Sequence, residues 1–190
     1  TPKWKSPSQM EDAARAVQFV KSKAKEWHID PLRVAAIGGS AGAHLAAWVA
    51  LHDDLSKPDS NDPVEKQSSR LTCVVNIGGP VDLSRVDIDA MSKTKQGKAL
   101  IDMLYSFLGC TEKTYNKTDE SKQIIKDVSP INYVSKDDPP MMIVYRVEGK
   151  DSQKPKGPEP KLISDPHSKW FGVQIAKAFE KHGLACEEYW

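Results

Sequence analysis

The stretch Val34-Ala35-Ala36-Ile37-Gly38-Gly39-Ser40-Ala41-Gly42-Ala43-His44-Leu45-Ala46 decides the fold, because an apolar run enters a G-x-S-x-G pentapeptide and a run of small helix formers leaves it. Such a pattern predicts a strand that turns sharply into a helix with Ser40 at the apex. Gly38 and Gly42 are expected where a Cβ would collide with the neighbouring strand or helix, and Ser40 is the candidate nucleophile. Three fixed residues of common types recur by chance, so the flanks carry the argument. Arg33 to Ile37 reads as a short strand of a parallel sheet buried on both faces, and Ala41 to His52 runs without a helix breaker.

Outward from this turn, the chain alternates helix and strand. Ser6-Pro7-Ser8-Gln9 reads as a helix start with Ser6 as N-cap, or Ser8 with Glu11 in a second register, and Ala13, Val17, Val20, Ala24 and Trp27 recur at helical spacing as one buried face. Asp30-Pro31 ends that helix. The polar stretch from Asp53 to Arg70 predicts a loop, Leu71 to Ile77 a strand ended by Gly78-Gly79-Pro80, and Ser92 to Leu108 a helix with Leu100, Met103, Leu104 and Phe107 on one side. Gly109 to Asp138 reads as irregular and exposed. Met141 to Val147 predicts another strand, Glu148 to Lys161 an extended Lys- and Pro-rich excursion, Ser168 to His182 a helix stopped by Gly183, and Leu184 to Trp190 a last strand. This order implies an α/β domain with a mainly parallel sheet.

The 190 residues, 39% hydrophobic and 28% charged, suit a single globular domain. With 27 basic against 26 acidic residues, the charge balance gives no reason to expect nucleic acid as a partner, and no apolar run is long enough to span a bilayer. Cys73, Cys110 and Cys186 are too few and too scattered for a disulfide framework or a zinc site. Asp82, Asp87 and Asp89 lack the spacing of a calcium loop. Neither a metal nor a cofactor is expected. Compartment and oligomeric state are not legible in these residues.

The motifs, taken in order, resemble the second half of α/β-hydrolase-fold serine esterases, in particular the branch of carboxylesterases, feruloyl esterases and acetyl xylan esterases. Asp30-Pro31-Leu32-Arg33-Val34 and the Gly38-Gly39-Ser40-Ala41-Gly42-Ala43-His44-Leu45-Ala46 turn carry the resemblance. Gly79-Pro80-Val81-Asp82-Leu83, Phe107-Leu108-Gly109, Ser129-Pro130-Ile131 and Asp138-Pro139-Pro140-Met141 follow in the family's order. The resemblance implies an α/β-hydrolase fold that is incomplete, a domain truncated at both ends. The loop that helps bind the oxyanion would then precede the opening helix, and the catalytic histidine would follow Trp190. On that reading the chain alone is inactive and exposes a sheet edge.

Serine acyl transfer needs a base, an orienting carboxylate and N–H donors for the oxyanion. The backbone N–H of Ala41 is one expected donor, with Gly38, Gly39 and Gly42 shaping the turn. Asp165 leads as the acid, beside Pro166 and ahead of the last helix, where its rival role is helix capping; Asp151 is the alternative. Among the five histidines, His44 is expected to point into the packing beneath the turn, and His28, His52 and His182 lie at helix ends. His167, in the acid loop, is the remaining in-chain candidate for a replacement base. Trp4, Trp48, Trp170, Tyr105 and Tyr133 are candidates for an acyl or aryl pocket or for the core. The expected activity is cleavage of carboxylic esters through an acyl-enzyme on Ser40, on a small-molecule or carbohydrate ester such as an acetylated or feruloylated sugar. A peptidase of the prolyl oligopeptidase type and an inactive relative serving as a binding module are the alternatives.

Overall fold

The computed structural model describes residues 6–145 and 153–190. Four short strands, β1 (Ala36–Gly39), β2 (Val74–Ile77), β3 (Met141–Val144) and β4 (Cys186–Tyr189), form one sheet in chain order, and every pairing is parallel. Parallel neighbours need long crossovers, and the chain supplies them as helices: α3 (Ala41–Leu51) after β1, α4 (Ile88–Met91), α5 (Lys95–Leu108) and α6 (Asp119–Val128) between β2 and β3, and α7 (Lys169–His182) before β4. Ahead of β1 stand α1 (Ser8–Ser22) and the single turn α2 (Ala24–Trp27). The expectation of an α/β domain with a parallel sheet holds throughout.

One face of the sheet is the core. Val74, Asn76, Met141 and Ile143 on that face are buried, and α3 and α7 pack there: Gly38 and Gly79 approach the backbone of α3, while Gly172 of α7 lies against Tyr145 and Trp190. The opposite face is barer, with Ile37 at 71% and Ile77 at 41% exposure. β1 is therefore not buried on both faces as its apolar run suggested. Continuous apolar sequence records what a strand is suited to cover, and here β1 is an edge strand whose outer face meets no helix among the described residues.

The first helix departs from its expected form in two ways. Pro7 rather than Ser6 takes the N-cap position, with no side-chain cap, and its carbonyl accepts from the N–H groups of Met10 and Glu11. The buried face is Met10, Ala14, Gln18 and Lys21, with Ala13 and Val17 on its flank, while Trp27 is exposed. Gln18 and Lys21 are buried because they serve the 53–70 loop: Gln18 donates to the carbonyls of Leu55 at 3.2 Å and Gln67 at 2.8 Å, and Lys21 donates to that of Arg70. Burial pushes the Lys21 ammonium down from its ordinary range, against the opposing pull of Asp54.

The region from Gly109 to Asp138, expected to be irregular, holds α6 and a short 3-10 turn (Pro130–Tyr133). Thr118 caps α6 by accepting from the Ser121 N–H, Asp119 and Glu120 occupy its first turn, and Ile125 and Val128 reach the core. Residues 153–168 form no regular element, yet they are strapped down. The Arg85 guanidinium donates to the carbonyls of Pro160 at 2.6 Å and Lys161 at 2.7 Å and pairs with Glu159 at 3.2 Å, and Ile163 bridges in parallel to Val86. Lys177 and Gln174 of α7 hold Glu159 from the other side. This strap leads directly into the loop that carries Asp165 and His167.

Candidate active site

Ser40 sits at the turn between β1 and α3 with φ 52° and ψ −119°, a region a non-glycine residue adopts at a cost of about 1–3 kcal/mol. The surroundings hold it there: its N–H donates to the Ile77 carbonyl at 2.9 Å and its carbonyl accepts from the His44 N–H at 3.0 Å. A Cβ on Gly38 would lie 2.3 Å from the Gly42 carbonyl group, so glycine is obligatory at that position. The companion expectation for Gly42 is not met, since a Cβ there meets nothing within 4 Å; Gly39 is equally open. The close approach is made by Gly38 against the first turn of α3, where the colliding atoms are the carbonyl of Gly42 and the backbone N of Ala43. Ala41 opens α3, so its N–H is among the first-turn donors that lack an acceptor within the helix.

A second constraint was not anticipated from the sequence. A Cβ on Gly79 would come within 2.5 Å of the Ala43 Cβ, and Gly78 has φ 63°. Three side chains fix this turn from beneath: Asn76 Oδ1 accepts from the Gly79 N–H at 2.9 Å, the Tyr145 hydroxyl donates to the Gly79 carbonyl, and His44 Nδ1 donates to the Pro80 carbonyl at 2.7 Å. His44 is thus a packing residue, edge-on to Phe107, and its burial pushes the imidazole well below its ordinary value, outweighing the carbonyls of Pro80 and Val128.

Across the turn, His167 brings Nε2 to 2.8 Å from Ser40 Oγ. Asp165 Oδ1 accepts from the His167 backbone N–H at 2.9 Å and lies 3.9 Å from His167 Nδ1, closing an Asx-type turn that aims the ring. At 3.9 Å the carboxylate makes no direct hydrogen bond to the imidazole ring. In the tautomer that carries its proton on Nδ1, Nε2 accepts a hydrogen bond from the Ser40 hydroxyl. Ser40, His167 and Asp165 are all exposed. The structure brings these three together; Asp151 lies outside the described residues.

The other candidates disperse. His28 ends α2 in the left-handed region, His52 stacks with Trp48 and Tyr133, and His182 Nδ1 donates to the Ala178 carbonyl at 2.9 Å. Asp82 and Asp87 cap short helical turns, and no group of three or more metal-ligating side chains occurs among the described residues. Beside Ser40 opens a cavity of about 380 Å³. None of Trp48, Trp170, Tyr105 and Tyr133 lines it, and Trp4 lies outside the described residues. Its walls are mainly aliphatic.

The BD-FAE family profile matches residues 1–153, most of the chain and the whole of the strand-turn-helix that carries Ser40. The chain belongs to the BD-FAE family. This BD-FAE chain is 29% identical over 139 residues to the probable carboxylic ester hydrolase LipM of Mycobacterium tuberculosis, covering 73% of this chain and 29% of LipM. It is 26% identical over 150 residues to the esterase LipQ of the same organism, covering 76% and 31%. Among solved structures, the acetyl ester-xyloside bifunctional hydrolase of Caldicellulosiruptor lactoaceticus superposes with a TM-score of 0.70 at 24% identity, over 99% of this chain and 56% of that one. The fold is that of the α/β-hydrolases. The BD-FAE chain spans about a third of the length of the curated relatives it matches.

Proposed function

We propose, against the expectation that the chain alone is inactive with its base beyond Trp190, that it hydrolyses carboxylic esters through an acyl-enzyme on Ser40, with His167 as base and Asp165 as the charge that orients it. The observation that carries this reading is the 2.8 Å contact between Ser40 Oγ and His167 Nε2 on a strained turn at the head of a helix. In the first half-reaction the Ser40 hydroxyl proton passes to Nε2 while Oγ bonds to the ester carbonyl carbon. The carbonyl oxygen gathers charge facing the Ala41 N–H. The carbon–oxygen bond to the alcohol then breaks, and the proton on Nε2 leaves with the alcohol. Water repeats the sequence on the acyl-enzyme, releasing the carboxylic acid and restoring Ser40.

The substrate is an ester of a small alcohol or carbohydrate. In support, LipM and LipQ are named as a carboxylic ester hydrolase and an esterase, and the superposed structure is described as an acetyl ester-xyloside hydrolase. A fluorophosphonate probe should label Ser40, and Ser40→Ala should abolish both labelling and turnover of p-nitrophenyl acetate. His167→Ala should lower turnover about 10²- to 10⁴-fold. Turnover that survives His167→Ala unchanged would place the base elsewhere. A folded chain that neither labels nor turns over ester would be a binding module, and preference for a peptide amide would make it a peptidase.

A further inference from the structure

The apolar stripe of α5 serves the core only in part: Leu100, Leu104 and Phe107 are half-buried against it and turn the rest of their surface elsewhere. Within α5 the buried positions are Gly97, Ile101 and Leu108, whereas Leu100, Met103, Leu104 and Phe107 line the 380 Å³ cavity beside Ser40, with Met103 65% exposed at its rim. Leu83, Val86 and Met91 form the facing wall, and Ala41, His44 and Pro80 contribute where it meets the turn. A row of large apolar side chains that faces a cavity open to water is a site for apolar ligand surface, and the volume lies at the small end of ligand pockets. Sugar hydroxyls entering it would leave their water partners with little to replace them.

Resting on the reading of Ser40 as nucleophile, we propose that this slot binds the acyl chain of the ester, an aliphatic chain longer than acetyl, while the alcohol stays outside. Which half of the ester enters follows from the proton. The leaving oxygen must receive it from His167 Nε2, and His167 is not part of the slot wall, although its neighbour Pro166 is. The alcohol therefore lies on the open, His167 side, and the acyl chain runs away from it between α4 and α5. The slot is a specificity element built from Leu104, Leu100 and Met103.

The test is a pair of substrate series on the full chain. With p-nitrophenyl acetate, butyrate, hexanoate and octanoate, kcat/KM should climb about fourfold per added methylene until the slot is filled, whereas lengthening the alcohol of an acetate from ethyl to hexyl should bring no such gain. Leu104→Trp, which fills the slot, and Met103→Glu, at an exposed position that folding tolerates, should each lower the hexanoate-to-acetate ratio at least tenfold. A flat acyl series with ratios unmoved by either variant, or a gain that follows the alcohol, overturns the slot while leaving Ser40 as nucleophile intact. Titration of Ser40→Ala with octanoate, read by NMR, separates the two claims. Where the wild-type chain turns over no ester, octanoate binding that Leu104→Trp weakens at least tenfold upholds the slot and removes Ser40 from chemistry. No octanoate binding and no turnover overturns both.

Discussion

Gly38 and Gly42 bracket Ser40, yet only Gly38 is under steric compulsion. Gly38→Ala should cost at least about 2 kcal/mol, because the atoms it strikes are backbone and cannot swing aside. Gly42→Ala, in open space in the first turn of α3, should change stability by less than about 1 kcal/mol, and urea denaturation of the two variants checks the contrast. His44 makes a pH prediction. Burial keeps it neutral when folded, whereas the unfolded imidazole protonates below its ordinary 6.5, so stability is fully present above that value and is lost as pH falls through it. Unfolding free energy should fall as pH is lowered from 7.5 to 5.5, and His44→Gln should flatten the profile. Ser40 was legible because a strand-turn-helix is a local pattern. His167 was legible only as the in-chain candidate left over once the base was expected beyond Trp190, because its role depends on a contact made across 127 residues by a loop whose own sequence has no periodicity. Gly78-Gly79, read as the end of a strand and, at Gly79, as the start of a family motif, was the overlooked signal that a second backbone must approach the same helix.

At the level of elements, the long helices and the parallel order were visible in apolar spacing and caps, down to Ser168 and Gly183 at the two ends of α7. α6 was missed because only one face of a ten-residue helix is apolar and its neighbours on both sides are polar loops, yet Thr118 followed by Asp119 and Glu120 is a start signal that composition masked. The burial of α1 was read one residue out of phase because Gln18 and Lys21 are buried for their hydrogen bonds and not for apolarity. The strap at 159–163 shows how an irregular segment can still place a side chain. It is tied at Arg85 below and at Gln174 and Lys177 above, and His167 follows within a few residues. Arg85→Ala should speed tryptic cleavage at Lys156 and Lys161. The lost hydrogen bonds should cost about 1 kcal/mol, a fall of 2–4 °C in Tm. Unchanged digestion would mean that α7 alone holds the segment.

Across the whole molecule, the sheet is covered on one side, and Leu32, at 82% exposure, stands with Ile37 and Ile77 among the large apolar side chains left in water. A parallel edge strand beside a bare apolar face is a template for association. The chain should self-associate as its concentration rises, and Ile37→Lys combined with Ile77→Lys should shift sedimentation towards monomer; a wild-type chain that stays monomeric at high concentration would contradict this. The order of the strands carries a further consequence, in time. Every ladder joins segments far apart in the chain, Ala36 to Val74 and Val74 to Met141, so each closes a long loop before it gains contacts, and folding should be slow for a chain of this size. The turn at Ser40 shares this schedule. Its N–H waits for Ile77, and its helix packs against Gly79, so a ribosome must release some forty residues beyond the serine before the strained conformation has anything to hold it. The nucleophile is encoded early in the chain and assembled late.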